Sequence, residues 1–166
     1  MTFAPILQEI QQESATTRRL MERIPDDKLG WRPHAKSLPL GQLAMHTAMI
    51  PGAFARIGQL DEFDVATASF TPPTPASTAE VLDTLDASTQ AAVEFIGGLD
   101  AARAGAPWRL LRGSTELFNM PRGAMLRALM LNHWYHHRGQ LSVYLRMLDV
   151  PMPSIYGPSA DENPFG

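Results

Sequence analysis

Three histidines stand within five residues in the segment 133-HWYHH-137, inside a run of otherwise helix-forming residues. His133 and His137 are four residues apart, which places two imidazole rings on adjacent turns of one helix face, where both can bind a single metal ion. On a helical wheel of about 100° per residue, both lie on the apolar face that is expected to be buried, where each ring nitrogen needs a hydrogen-bond or metal partner. Three explanations stay open at this point: hydrogen-bonded core residues, surface residues or metal ligands.

The residues around this pair narrow the chemistry. His136 lies at the edge of the stripe and is either an edge residue or a substitute ligand or proton shuttle. Arg138 faces away from the stripe, and Arg138 and Gln140 are expected to tie the helix to a neighbour or to orient the ligating rings. The zinc-protease helix motif requires Glu directly after its first His. This chain has Trp134 there, which argues against peptide hydrolysis by that mechanism.

A third inward histidine is predicted on another helix. The apolar stripe of the second predicted helix reads Leu43, His46, Ile50, Ala53 and Ile57. His46 therefore occupies a position where an aliphatic residue is expected. If the two helices are neighbours, His46, His133 and His137 supply three neutral nitrogen ligands and leave positions open for water or substrate. The alternative is that all three are polar residues of the core.

The spacing of the apolar residues predicts four amphipathic helices, which would pack as an all-α four-helix bundle and hold these rings in place. The helices are expected over 3–24, from an N-cap at Ser37 to about residue 60, from the capping box 77-STAE-80 to Gly97-Gly98, and from Pro121 to about residue 149. The Pro-rich segment 61–76 is expected to be a long crossover connection between the second and third helices, and 105–120 to hold a short hairpin about Gly113-Ser114. Residues 1–166 are expected to be one domain, with 150–166 as an extended tail.

Two hydroxyl residues, Ser14 and Thr17, interrupt the apolar seam of the first helix, which runs from Phe3 to Ile24. A buried hydroxyl without a partner costs on the order of 1–3 kcal/mol. These two are expected either to bond back to their own helix or to border a polar pocket.

Composition excludes several functional classes. The 14 Lys and Arg residues form no basic block, so no nucleic-acid binding is expected. The chain has no Cys, which leaves His, Asp and Glu as metal ligands and requires any reactive thiol to come from outside. Charged residues within the first 24 positions and the lack of a long apolar run predict neither a signal peptide nor a membrane span. A cytoplasmic protein is expected.

Two segments, 133-HWYHHRGQL-141 and 42-QLAMHTAMIPG-52, resemble the DinB-like (DinB/YfiT) family of metal-dependent bundles, as does the Trp31-Arg32-Pro33 and Ser37-Leu38 context. The resemblance covers essentially the whole chain. It implies that His46, His133 and His137 bind one divalent ion, nickel or zinc, with water in the remaining positions. It also implies a homodimer, for which surplus apolar residues at Met45, Phe54, Trp134 and Met147 would supply contacts.

Related branches of that family transfer low-molecular-weight thiols. The resemblance therefore favours a metal-dependent enzyme that joins such a thiol to a small electrophile, since an ion held by neutral imidazoles lowers the pKa of a bound thiol or water. The alternative is a non-catalytic metal- or ligand-binding bundle involved in stress response. Neither the residues nor the resemblance identifies a catalytic side chain.

Overall fold

A computed structural model describes residues 4–165, which are mostly helical with a small three-stranded sheet. The helices are α1 (Ala4–Met21), α2 (Leu40–Gly58), α3 (Thr78–Gly97), the short α4 (Ala101–Gly105), α5 (Arg122–Met125) and α6 (Asn132–Met147). A π-helical segment, Leu126–Leu131, joins α5 to α6, and the three together form one continuous C-terminal rod. The strands are β1 (Glu62–Asp64), β2 (Pro107–Arg112) and β3 (Thr115–Pro121). Phe3, the first residue of the predicted seam, lies outside the described residues.

Helices α2 and α3 run parallel, because residues that come later in α2 contact residues that come later in α3. The Gly52 amide donates to the Ser88 hydroxyl over 2.7 Å. A Cβ atom at Gly52 would lie 3.0 Å from the Ser88 Cα, and one at Gly58 would lie 2.8 Å from the Phe95 ring. Glycine thus permits a close approach, and the 59–77 connection has to cross over to join two parallel helices.

Helix α1 lies antiparallel to α3, and the side of α1 that faces away from α3 contacts the rod. The Ser14 hydroxyl pairs with that of Thr89 at 3.0 Å, and the Thr17 hydroxyl accepts from Nη1 of Arg138 at 3.2 Å. The two seam hydroxyls therefore bond to neighbouring helices and not back to their own.

The predicted hairpin is present, and it carries a third strand that the sequence did not indicate. Strands β2 and β3 pair antiparallel about Gly113, whose φ of 57° suits a residue without a side chain. Strand β1, which lies in the predicted crossover, pairs parallel with β2. The description of the fold as all-α is therefore too narrow.

Backbone groups, and not the predicted Ser37 side chain, cap the start of α2. The helix begins at Leu40, whose amide donates to the Trp31 carbonyl over 2.7 Å. The prediction was wrong because the turn before the helix folds back and supplies a carbonyl. The capping box of α3 is confirmed with a shift of one residue, since Ser77 accepts from the Glu80 amide and the Glu80 carboxylate accepts from the Ala76 amide.

A buried arginine caps the end of α2. Arg122 is 1% exposed and donates to the carbonyls of Gly58 (2.7 Å) and Leu60 (3.0 Å) and to the Asp61 carboxylate (2.6 Å). Because the last carbonyls of a helix lack partners within it, these bonds join α2 to the start of the rod.

The buried face of the rod differs from the predicted one because of the π-helical segment. Its residues with at most 2% exposure are Arg122, Met125, Leu126, Met130, Leu131, Trp134, Arg138, Leu141 and Leu145. The buried pair Met125–Leu126 recurs five residues later at Met130–Leu131, a spacing that suits the i→i+5 hydrogen bonding of a π-helix. A single α-helical wheel therefore assigned Trp134 and Arg138, which are buried, to the wrong face of the helix.

Arg138 was expected to face away from the core, but it forms the main polar contact between α6 and α1. Its guanidinium is ion-paired at 2.5 Å with Glu13, and it also contacts the Tyr156 hydroxyl. Tyr156 belongs to the C-terminal tail, and its hydroxyl donates to the Glu13 carboxylate over 2.7 Å. Up to residue 165 the tail contains no helix and packs against α1 and α6, as predicted. Within residues 4–165, no helix has both the length and the apolarity that crossing a bilayer requires.

Candidate metal centre

The antiparallel packing of α2 against the rod brings the three predicted ligands together. The ring centroid of His46 lies 5.2 Å from that of His133 and 4.5 Å from that of His137, and the last two are 4.6 Å apart. One ring nitrogen from each residue can be chosen so that all three lie within 4.8 Å of one another. Helix α2 supplies one ring and α6 supplies two, on adjacent turns, as the sequence predicted.

These donors suit a divalent transition-metal ion. The Nε2 atoms of His46 and His133 are 3.2 Å apart, close to the separation of about 3.3 Å that two ligands have when each lies about 2.0 Å from a tetrahedral zinc. A hydrogen bond between two neutral rings would give a similar distance. The convergence of a third nitrogen, from His137, is what favours a shared cation over a hydrogen-bonded pair.

Gln140 orients the third ring. Its Oε1 atom lies 3.0 Å from Nδ1 of His137, one turn along α6. When Nδ1 carries the proton and donates to this oxygen, Nε2 of His137 keeps a free lone pair for a metal. The expected role of Gln140 as an orienting residue is therefore supported by this contact.

Burial keeps the three rings in the neutral form that metal binding requires. Desolvation, with a smaller contribution from His137, lowers the pKa of His46 to about 4. Desolvation and the neighbouring histidines also lower the pKa of His133 to about 4. The pKa of His137 is lowered by burial as well, although its bond to Gln140 opposes this. All three nitrogens are consequently unprotonated at neutral pH and can act as ligands without a prior loss of protons.

A cleft of about 800 Å³ opens beside two of these rings and is lined mainly by apolar side chains. His46 and His133 are part of its lining, and His136 joins them there while its ring packs 4.8 Å from that of His137. His136 is exposed and lies beside the three predicted ligands, on the side of the cleft.

The 59–77 connection forms one wall of this cleft. Phe63, Val65 and Phe70 all line it, together with Trp108 of β2. Sequence reasoning treated this segment as a linker and missed its role. The two phenylalanines of this segment could have indicated its role, because large apolar side chains are more often packed against the protein than exposed in a solvated linker.

Glu9, Glu13 and Asp64 carry carboxylates on neighbouring segments, but none of the three lines the cleft. Glu9 accepts from Tyr135 over 2.7 Å and pairs with Arg127, which holds the pKa of its carboxyl below the usual range. Glu13 pairs with Arg138, and Asp64 accepts from backbone amides. Each is engaged in fold contacts, so none of the three is placed to act as a general base on a molecule in the cleft.

Comparison with known proteins agrees with this architecture. The sequence profile of the DinB family matches residues 2–163. The chain is 27% identical over 165 residues to the uncharacterized protein YrdA of Bacillus subtilis, with 97% of this chain and 92% of that protein aligned. Crystal structures of DinB-like proteins share the fold. A DinB-like protein from Bacillus cereus has a TM-score of 0.70 and 22% identity, covering 90% of this chain and 95% of its own.

The DinB-like protein YjoA from Bacillus subtilis has a TM-score of 0.68 and 18% identity, covering 91% of this chain and 96% of its own. At such identities the two structures establish the fold and carry no information on activity. The profile match spans nearly the whole sequence and includes both histidine-bearing helices. The chain belongs to the DinB family.

Proposed function

We propose that this protein is a divalent-metal-dependent enzyme that transfers a low-molecular-weight thiol to a small electrophile. One ion, nickel or zinc, is held by His46, His133 and His137. The observation that carries the proposal is the convergence of three neutral imidazoles at the edge of an apolar cleft large enough for a small molecule. Three protein ligands are typical of metal sites that keep positions open for a reactant.

The chemistry follows from the charge of the site. A bound divalent ion with neutral ligands keeps its full charge and supplies Lewis acidity that lowers the pKa of a thiol. The chain contains no Cys, so the thiol is a substrate from outside. Its sulfur forms a bond to the electrophilic carbon, the leaving group departs with its bonding electrons, and the thiol proton passes to solvent. His136, at the edge of the cleft, is placed to accept that proton first.

The first test is metal content. Protein purified without chelator should hold about one divalent ion per chain by elemental mass spectrometry, and His133→Ala should lose it. His34→Ala provides a matched control, because His34 is an exposed histidine in the loop before α2. A metal content no higher than that of the buffer, in the unsubstituted protein, would contradict the proposal.

The second test is turnover. The metal-loaded protein should accelerate the loss of an electrophile such as 1-chloro-2,4-dinitrobenzene in the presence of one member of a panel of small thiols. His133→Ala should abolish that acceleration, whereas His34→Ala should retain it.

A non-catalytic metal- or ligand-binding role is the second candidate. The engagement of Glu9, Glu13 and Asp64 in contacts outside the cleft favours it, since such a role needs no general base. It predicts that removal of the ion lowers the melting temperature while no pair of thiol and electrophile reacts faster than in buffer.

The homodimer stays a proposal with weaker support than the sequence indicated. Met45 and Trp134 are buried within the chain, and Phe54 lines the cleft. Met147 and its neighbour Val143, which is 58% exposed, remain available on α6 for a second copy. Sedimentation at a mass of twice 18.3 kDa would support the dimer, and a species of 18.3 kDa alone would refute it.

A further inference from the structure

Within residues 4–165, the cleft beside the histidines carries one basic side chain, Arg56, that has no hydrogen-bond or ion-pair partner. Among the described residues that line the cleft, Arg56 has the only ionisable side chain other than the histidines, and no Asp, Glu or Lys is present. It is exposed on α2, ten residues beyond His46. Ten residues of α-helix correspond to about 15 Å. Arg56 and His46 therefore lie about three helical turns apart along the cleft, and His133, whose ring centroid is 6.1 Å from that of Phe54, lies between them.

The carboxylates that follow α2 in the chain are engaged elsewhere and do not neutralise Arg56. Asp61 pairs with the buried Arg122, and Glu62 pairs with Arg109 across the sheet. Asp64 accepts from the backbone amides of residues 66 and 113. In a chain with a formal charge of -3, a cleft that has an arginine and no acidic side chain in its described lining is selective in sign.

We propose that the cleft binds an amphipathic anion, with its acidic headgroup on the Arg56 guanidinium and its apolar body along the cleft towards His46 and His133. This inference specifies the substrate class of the proposed enzyme, and it rests on the proposed function because it takes the cleft to be the substrate site. The apolar body packs against Ile50, Phe54 and Phe63, and the rise of α2 from Arg56 to His46, about 15 Å, is the longest span available to it along this helix.

Arginine suits this role because its guanidinium offers several donors in one plane and matches a carboxylate, sulfonate or phosphate in two-point contact. An acidic headgroup at the exposed rim stays partly hydrated, so the ionic contact contributes the lower part of the range for charge-assisted hydrogen bonds. This corresponds to about a tenfold preference for the anion over a neutral molecule of the same shape.

The test uses two fluorescent probes with the same aromatic rings, one anionic and one neutral. These are 8-anilino-1-naphthalenesulfonate and N-phenyl-1-naphthylamine, each titrated into the full-length protein. The anionic probe should bind the unsubstituted protein about tenfold more tightly. Arg56→Met should remove that preference by weakening the sulfonate alone, and Arg56→Lys should retain most of it. Arg112→Met is the matched control, because Arg112 is exposed on the hairpin outside the cleft.

A third variant locates the probes. Ala128 is exposed and lines the cleft, so Ala128→Phe should narrow the cleft and weaken both probes without disturbing the core. Equal binding of the sulfonate by Arg56→Met and the unsubstituted protein would overturn the inference, as would an equal loss of the neutral probe or no effect of Ala128→Phe. Metal content measured on the same samples reports separately on the three histidines, so failure of this inference is distinguishable from failure of the proposed function.

Discussion

Replacing Gln140 by leucine tests how His137 is held for metal binding. The Gln140 side chain is exposed and makes one neutral hydrogen bond of 3.0 Å to Nδ1 of His137. A neutral hydrogen bond contributes about 1 kcal/mol, so its loss should weaken metal affinity about fivefold. This lies just below the range of 10- to 100-fold found for residues that orient metal ligands, as expected for an exposed side chain.

Replacing Gln140 by glutamate should act in the opposite direction. A carboxylate accepts from Nδ1 through a charge-assisted bond that is about twice as strong, raises the basicity of Nε2 and adds negative charge beside the ion. The expected result is tighter binding than in the unsubstituted protein. Competition titration against a fluorescent chelator at pH 7 measures both variants, and Gln90→Leu, at an exposed site on α3, serves as control. Equal affinities for Gln140→Leu and the unsubstituted protein, or weaker binding by Gln140→Glu, would refute the assignment.

Three further predictions concern stability, measured by urea unfolding. Arg138→Met leaves the Glu13 carboxylate, which is 13% exposed, without its ion-pair partner and with only the Tyr156 hydroxyl bond, and should cost about 3 kcal/mol. In metal-free protein the folded-state pKa values of His46 and His133, about 4, lie below the ordinary 6.5, so the unfolded chain takes up protons first on acidification. The free energy of unfolding should therefore be highest above pH 6.5 and fall from there to pH 4. Gly52→Ala places a Cβ 3.0 Å from the backbone of α3 and should cost about 1–3 kcal/mol.

Each of these has a matched control. Arg138→Met combined with Glu13→Leu removes both charges and should recover part of the loss, and a double variant no more stable than the single one would speak against the buried ion pair. His46→Gln with His133→Gln should flatten the pH dependence, and an unchanged slope would assign it to other groups. Gly139→Ala, on a helix surface with nothing within 4 Å of the new Cβ, should stabilise by about 0.5–1 kcal/mol.

The convergence of the three histidines could be predicted because much of it depends on local geometry. The spacing of His133 and His137 places both rings on one face of any α-helix, and α6 is regular from Asn132 onwards. His46 was identified by the same reasoning, as a polar residue in an aliphatic stripe. That the two helices are neighbours was a hypothesis in the sequence and is a finding in the structure.

Two features of the fold lay beyond such reasoning. The π-helical turn at Leu126–Leu131 changes the phase between the two halves of the rod, so a wheel of constant period assigned Trp134 and Arg138 to the wrong face. Strand β1 is only three residues long, and its pairing partner β2 follows more than forty residues later. Local periodicity carries no information about such a distant pairing, which is why the segment was taken for a linker.

The crossover that forms a wall of the cleft supplies none of the three imidazoles. Insertions or exchanges in this stretch would reshape the cleft while leaving the histidine-bearing helices untouched. The fold thus assigns the outline of the cleft and the position of the three rings to different segments of the chain, so either can change without the other.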